Sequence, residues 1–138
     1  MANETLVQSV KAIVALAKEG DVDGSYAGYR DLFASPEFAT YRVEDQRQAL
    51  KLMIVKKGPP VTPTAVCTDA HRVAKARLEA LVSATNEPAD YELLGICHAL
   101  LGDEESASTV FKAALAIERA RDPSSPLCGT LMKRVSML

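Results

Sequence analysis

Apolar residues recur at helical spacing along most of the chain. In the first such segment, Leu6, Val10, Ile13 and Leu16 fall on one stripe, with polar residues between them. The segments with this pattern cover residues 4–19, 22–34, 42–57, 64–84, 88–101, 104–121 and 126–137. No segment alternates apolar and polar residues as a half-buried strand does. The pattern therefore predicts an all-α protein of about seven helices.

Glycine and proline mark the ends of the predicted helices. Gly20 and Gly102 stop the first and fifth helices, and an aspartate that can cap the next helix follows each glycine within three residues. These short turns predict two antiparallel helix pairs. The main break is the Pro-rich segment 58–63, which predicts an extended loop because proline fixes φ and removes a backbone donor.

Composition narrows the class of protein. A chain of 138 residues with 48% apolar and 25% charged residues is typical of one globular domain. Aromatic residues make up only 5% and Trp is absent, which predicts an aliphatic, alanine-rich core of closely packed helices. The net charge of −2 gives no overall attraction to nucleic acid or to an anionic membrane.

The cysteines and the amino terminus predict a location. Cys67, Cys97 and Cys128 are odd in number and widely spaced, which predicts reduced, buried thiols in a reducing compartment. Glu4 and Gln8 interrupt the first apolar stretch, unlike a signal peptide, and no run approaches the ~18 apolar residues of a membrane helix. We therefore expect a cytoplasmic protein with no membrane partner.

The stretch from Tyr91 to Pro123 carries the most specific motif in the chain. It reads Tyr91-x-x-Leu94-Gly95-x-x-His98, then Gly102, then Ala107-x-x-x-Phe111 and Pro123. This order resembles the tetratricopeptide repeat (TPR), a helix–turn–helix unit of about 34 residues. The departures are Tyr91 in place of tryptophan, His98 in place of tyrosine, and a late proline.

The resemblance implies a stacked fold, because one such unit buries its apolar faces only against its neighbours. Three repeats and a capping helix, with a loop inserted in the middle repeat at 58–64, align at about residues 6–39, 44–87, 88–121 and 126–138. In the first repeat, Ile13 replaces the signature glycine. The expected fold is one domain over residues 1–138, an antiparallel helix-hairpin solenoid that forms a TPR-like superhelix. A generic helical bundle is the alternative.

The resemblance also implies a concave groove lined by the first helix of each repeat. The corresponding residues are mostly apolar, and they are Val7, Val10, Val14, Lys18, Gln48, Leu52, Val55, Lys56, Glu92, Ile96 and Ala99. Some family members use lysine and asparagine to hold a peptide's terminal carboxylate, but Val10 and Val14 stand at those positions, so this clamp is absent. We expect the groove to bind an apolar peptide or helix of a partner protein, with Lys18 and Lys56 at its edge.

Other occupants of the groove stay open. The chain's own C-terminal helix or a second copy of the chain could fill it, because an uncovered apolar strip is a liability in a soluble monomer. A homodimer is therefore possible. A further alternative is a small TPR-type chaperone, similar to those of secretion systems, that shields an apolar partner.

Basic residues concentrate between residues 42 and 77, and they include Arg42, Arg47, Lys51, Arg72, Lys75 and Arg77. As a patch they could bind an acidic partner or nucleic acid. A solvated helix surface is the favoured interpretation, because no aromatic side chains interleave them for stacking on single strands. Nucleic acid is thus a disfavoured partner.

No arrangement of residues predicts catalysis or a bound cofactor. His71 and His98 lack metal-ligand spacing, and Cys97 and His98 are adjacent on a helix, so they point about 100° apart. The chain has no glycine-rich phosphate loop and no nucleophile elbow. We therefore expect a non-catalytic protein without metal or cofactor, and we interpret His98 as a packing residue.

Overall fold

The computed structural model describes residues 4–55 and 62–138. Within these residues all regular structure is helical, and no strand is present. The α-helices are α1 (Glu4–Lys18), α2 (Val22–Ala34), α3 (Val43–Ile54), α4 (Ala65–Thr85), α5 (Pro88–Leu100), α6 (Glu104–Arg121) and α7 (Pro126–Ser136). A 3-10 helix, Pro36–Thr40, lies between α2 and α3. The prediction of an all-α protein is confirmed for the described residues.

The observed helices depart from the predicted ones by more than one residue in two places. α3 ends at Ile54 rather than at residue 57, and most of the predicted loop at 58–63 lies outside the described residues. The 3-10 helix is not predicted, because five residues are too few to show an apolar stripe. Its cause is local: Pro36 stands in its first turn, and the Ser35 hydroxyl accepts a hydrogen bond from the backbone N–H of Glu37.

The helices form two compact units, Met1–Arg77 and Leu78–Leu138, and the boundary between them falls inside α4. The first unit contains the α1–α2 hairpin and the second contains the α5–α6 hairpin. The expected single stacked domain stays a prediction.

The two hairpins use the same turn. Gly20 and Gly102 end α1 and α5 with φ of +91° and +86°, a left-handed conformation that L side chains rarely adopt. In both turns the N–H groups of the glycine and of the aspartate after it donate to carbonyls of the preceding helix, as in a Schellman motif. Asp21 and Asp103 then cap α2 and α6 by accepting a hydrogen bond from the N–H three residues further on. The predicted glycine stops and aspartate caps are confirmed.

In each hairpin, a glycine of one helix contacts a large side chain of the other helix. In the second unit, Gly95 of α5 lies against the ring of Phe111 on α6, the small and large positions of the repeat motif. In the first unit the sizes are exchanged, because Ile13 of α1 lies against Gly28 of α2. A Cβ at Gly28 would fall 2.8 Å from Cγ1 of Ile13. The absence of a side chain at Gly28 therefore leaves room for the bulky side chain of Ile13.

Aromatic rings dominate part of the first unit's core. The ring centroids of Tyr29 and Phe33 are 5.7 Å apart, those of Phe33 and Phe38 are 5.1 Å apart, and those of Phe38 and Tyr41 are 6.0 Å apart. Such pairs contribute beyond their buried area. The core of the first unit therefore combines these rings with aliphatic residues and alanines such as Leu50 and Ala70, because five of the seven aromatic residues lie between residues 26 and 41.

The core of the second unit is built by α5, α6 and α7. Its centre is a buried cluster of Ala107, Phe111, Ala114 and Leu131. Leu131 comes from α7 and is fully buried, so α7 forms part of the core of this unit. The Ser125 hydroxyl caps α7 by accepting a hydrogen bond from the N–H of Leu127, and Pro126 occupies the first turn.

Candidate functional site

A surface pocket lies between α1 and α3 in the first unit. Its volume is about 200 Å³, and its lining is mostly apolar: Leu6, Val7, Val10 and Lys11 of α1, with Asp45, Gln48, Ala49 and Leu52 of α3. These residues are spaced three to four apart on each helix, so each set forms one continuous face. The pocket is therefore an apolar concavity on the surface of the first unit.

The pocket has a buried floor and an apolar rim. Leu6 and Ala49 are buried at its base, whereas Leu52 keeps 40% of its surface exposed. Val55, the residue that follows the end of α3, is 39% exposed but does not line the pocket. Exposed aliphatic groups beside a concave apolar surface are typical of a site that receives a partner's side chain.

One acidic group on the pocket wall is already paired inside the protein. The guanidinium of Arg42 donates to both carboxylate oxygens of Asp45, at 3.1 and 3.2 Å. The hydrogen bond to Asp45 raises the pKa of Arg42 above its ordinary value. Lys11 lies on the opposite wall and is exposed. The pocket is therefore apolar, with one neutralised carboxylate and one lysine at its mouth.

The structure brings together four of the residues predicted for the groove, Val7, Val10, Gln48 and Leu52, in this pocket. Val14, Lys18 and Val55 lie on α1 or next to α3 but do not line it. Lys56 lies outside the described residues.

The groove residues predicted in the third repeat belong to the second unit and contact the chain itself. The carboxylate of Glu92 accepts a hydrogen bond of 2.7 Å from Arg134 of α7. Ile96 and Ala99 are half-buried and pack against the cluster that contains Leu131. In this unit these side chains are thus engaged by neighbouring helices, α7 among them.

Arg42, Arg72 and Arg77 of the predicted basic patch are bound within the protein. Arg42 pairs with Asp45, and Arg72 pairs with Asp69 at 3.0 Å. Arg77 donates to the carbonyls of Phe33 and Ser35 at 2.7 and 3.0 Å. Arg77 therefore caps the C-terminal end of α2, where orphan carbonyls favour a cation.

The other residues of the predicted patch differ in exposure. Lys51 is exposed, whereas Arg47 and Lys75 are half-buried. Because Arg42, Arg72 and Arg77 are engaged internally, the patch offers an acidic ligand little concentrated charge.

The first unit contains a buried polar cluster that the sequence analysis did not predict. Cys67 and His71 stand one turn apart on α4, and both are buried. Tyr26 of α2 forms a hydrogen bond with Cys67, and its ring centroid is 5.9 Å from that of His71. Burial, together with the hydrogen bond to Cys67, raises the pKa of Tyr26 to about 12. The four-residue spacing of Cys67 and His71 is the signal that could have identified the pair.

The geometry of this cluster does not activate the thiol. His71 Nδ1 is 2.8 Å from the carbonyl oxygen of Cys67, which can only accept, so Nδ1 carries the proton. The same Nδ1 is 3.7 Å from the Cys67 sulfur and has no lone pair left to take the thiol proton. Cys67 and His71 therefore lack the nucleophile–base relationship of a catalytic pair.

The described residues also bear on metal binding and on membrane insertion. Among them, no group of three or more potential ligands could hold a metal ion. None of the described helices combines the length and apolar character needed to cross a membrane. No protein-family model, curated protein or solved structure matches the chain.

Proposed function

We propose that this protein is a non-catalytic interaction module that binds an amphipathic helix of a partner protein at the α1–α3 pocket. The observation that carries the proposal is the pocket itself: aliphatic side chains from two helices, buried at the base and exposed at Leu52. A helix presents apolar residues every three to four positions, which suits a groove between two helices. Burying one leucine side chain of the partner contributes about 1.5–3 kcal/mol.

We further propose that the two helix hairpins are TPR-like repeats. This proposal is supported by their shared glycine turn and aspartate cap and by the small-against-large contact in each hairpin. The buried thiols of Cys67, Cys97 and Cys128, none of which forms a disulfide, are compatible with action in a reducing compartment such as the cytoplasm.

The test is a selection from a phage-displayed library of random peptides about 16 residues long, a little over four helical turns. We expect selected peptides to lose at least about tenfold in affinity when Leu52→Asp places a carboxylate at the pocket. The matched control is Val22→Asp. Val22 is 53% exposed at the start of α2 and does not line the pocket, so this change should leave binding intact.

Two results would contradict the proposed function. One is a selection that yields no peptide dependent on Leu52 although both variants keep their helical circular dichroism. The other is a concentration-dependent dimer that Leu52→Asp dissociates, because a second copy of the chain would then occupy the pocket.

A further inference from the structure

Lys11 is the lysine that lines the α1–α3 pocket. Within residues 4–55 and 62–138, its ammonium group forms no hydrogen bond and no ion pair. The acidic group across the pocket, the carboxylate of Asp45, accepts hydrogen bonds from two N–H groups of Arg42. An unpaired cation beside an apolar cavity favours a ligand that places a negative charge next to an apolar group.

Other lysines of α1 and α3 would also favour a negatively charged ligand. Lys18 follows Lys11 on the same side of α1, and Lys51 stands beside Leu52 on α3. Glu4 opposes them at the start of α1, where it accepts a hydrogen bond from Gln8, and Glu44 lies in the first turn of α3. The carboxylates therefore lie in the first turn of each helix, and the lysines lie further along it.

We propose that the pocket selects a partner helix in which a carboxylate lies one helical turn from the apolar residue that enters the pocket. This inference rests on the proposed function and adds the partner's chemistry to it. The apolar side chain fills the space between Val10 and Leu52, and the carboxylate pairs with Lys11. The energy of such an exposed pair is small, so its effect is on selectivity among apolar helices.

The experiment repeats the peptide selection on three proteins: the wild type, Lys11→Glu and Lys112→Glu. Lys112→Glu is the matched control, because Lys112 is also an exposed lysine inside a helix but lies outside the pocket lining. In peptides selected on the wild type, we expect Asp and Glu to outnumber Lys and Arg at three or four residues from the apolar anchor. Lys11→Glu should reverse this preference, and Lys112→Glu should keep it.

One synthetic series then measures the size of the effect. A selected peptide is made with Glu, Gln or Lys at the position next to the anchor, and its affinity is measured by fluorescence anisotropy. Lys11→Glu should weaken the Glu peptide about threefold to tenfold and leave the Gln peptide nearly unchanged. Raising the salt from about 0.05 to about 0.5 M should narrow the difference among the three peptides.

The outcomes separate this inference from the proposed function. Peptides that need Leu52 but show no charge preference, or a preference that Lys11→Glu does not alter, would overturn the inference and leave the function standing. A selection with no Leu52-dependent peptide would overturn both.

Discussion

Gly95 of α5 lies directly under the ring of Phe111 of α6. A Cβ atom at Gly95 would fall 2.6 Å from Cδ1 and 2.8 Å from Cζ of that ring, closer than real Cβ contacts. Phe111 is buried in the centre of the second unit and packs with Leu131 of α7 in one cluster. The absence of a side chain at Gly95 therefore sets the separation of the α5–α6 hairpin.

Gly95→Ala should lower the free energy of unfolding by about 1–3 kcal/mol, because the added methyl group must displace the Phe111 ring. Urea unfolding followed by circular dichroism measures this change. Gly129→Ala is the control: Gly129 lies inside α7 with open space at its Cβ position, so alanine there should stabilise by about 0.5–1 kcal/mol. Equal effects of the two variants would contradict the close contact.

Arg77→Lys should destabilise the protein by about 1–3 kcal/mol although it keeps the charge. The guanidinium donates to two carbonyls at once, Phe33 and Ser35, and lies 5.9 Å from the centre of the Phe38 ring, a geometry that an ammonium group does not reproduce. Thermal unfolding compares it with Arg72→Lys on the same helix. Arg72 forms only an exposed pair with Asp69, so its change should stay within about 0.5 kcal/mol.

Ionisation of Tyr26 should lower the stability of the folded protein at high pH. The pKa of Tyr26 is raised to about 12 in the folded chain from 10.0, so the neutral phenol is favoured by folding. The unfolded chain releases this proton at a lower pH than the folded chain does. The contribution of neutral Tyr26 to the free energy of unfolding is therefore fully present below pH 10, and it is lost as the pH rises from about 10 to about 12.

Phenolate absorbance of the wild type minus that of Tyr26→Phe isolates this titration. We expect almost no phenolate from Tyr26 at a pH slightly above 10 while circular dichroism remains native. The urea midpoint should also fall less steeply with pH in Tyr26→Phe than in the wild type. A Tyr26 midpoint near 10 in the folded protein would contradict its burial beside Cys67.

The ion pair between Glu92 and Arg134 should contribute to holding α7 against α5. Its atoms are 2.7 Å apart and both side chains are largely shielded, so a double-mutant cycle to alanine should give a coupling energy of about 1 kcal/mol. The pair of Glu87 and Arg121 is the control in the same unit. It is longer, at 3.4 Å, and more exposed, and its coupling should stay below about 0.5 kcal/mol. Equal coupling energies in the two cycles would contradict the role proposed for the pair of Glu92 and Arg134.

Much of the fold was predictable because its causes are local. Gly20 and Gly102 stop helices through their own backbone conformation, and Asp21 and Asp103 cap the next helices three residues away. The candidate pocket was predicted in part. The TPR resemblance named Val7, Val10, Gln48 and Leu52, but it also named Glu92, Ile96 and Ala99, which contact neighbouring helices of the second unit.

The sequence by itself determined the helices, their ends and the apolar faces, because helical spacing and turn chemistry act between residues a few positions apart. Tertiary structure decided which faces meet. It placed Gly28 against Ile13, Arg77 on the carbonyl of Phe33, and Arg134 on Glu92. These partners lie 15, 44 and 42 residues apart along the chain, so only the packing of the helices brings them together.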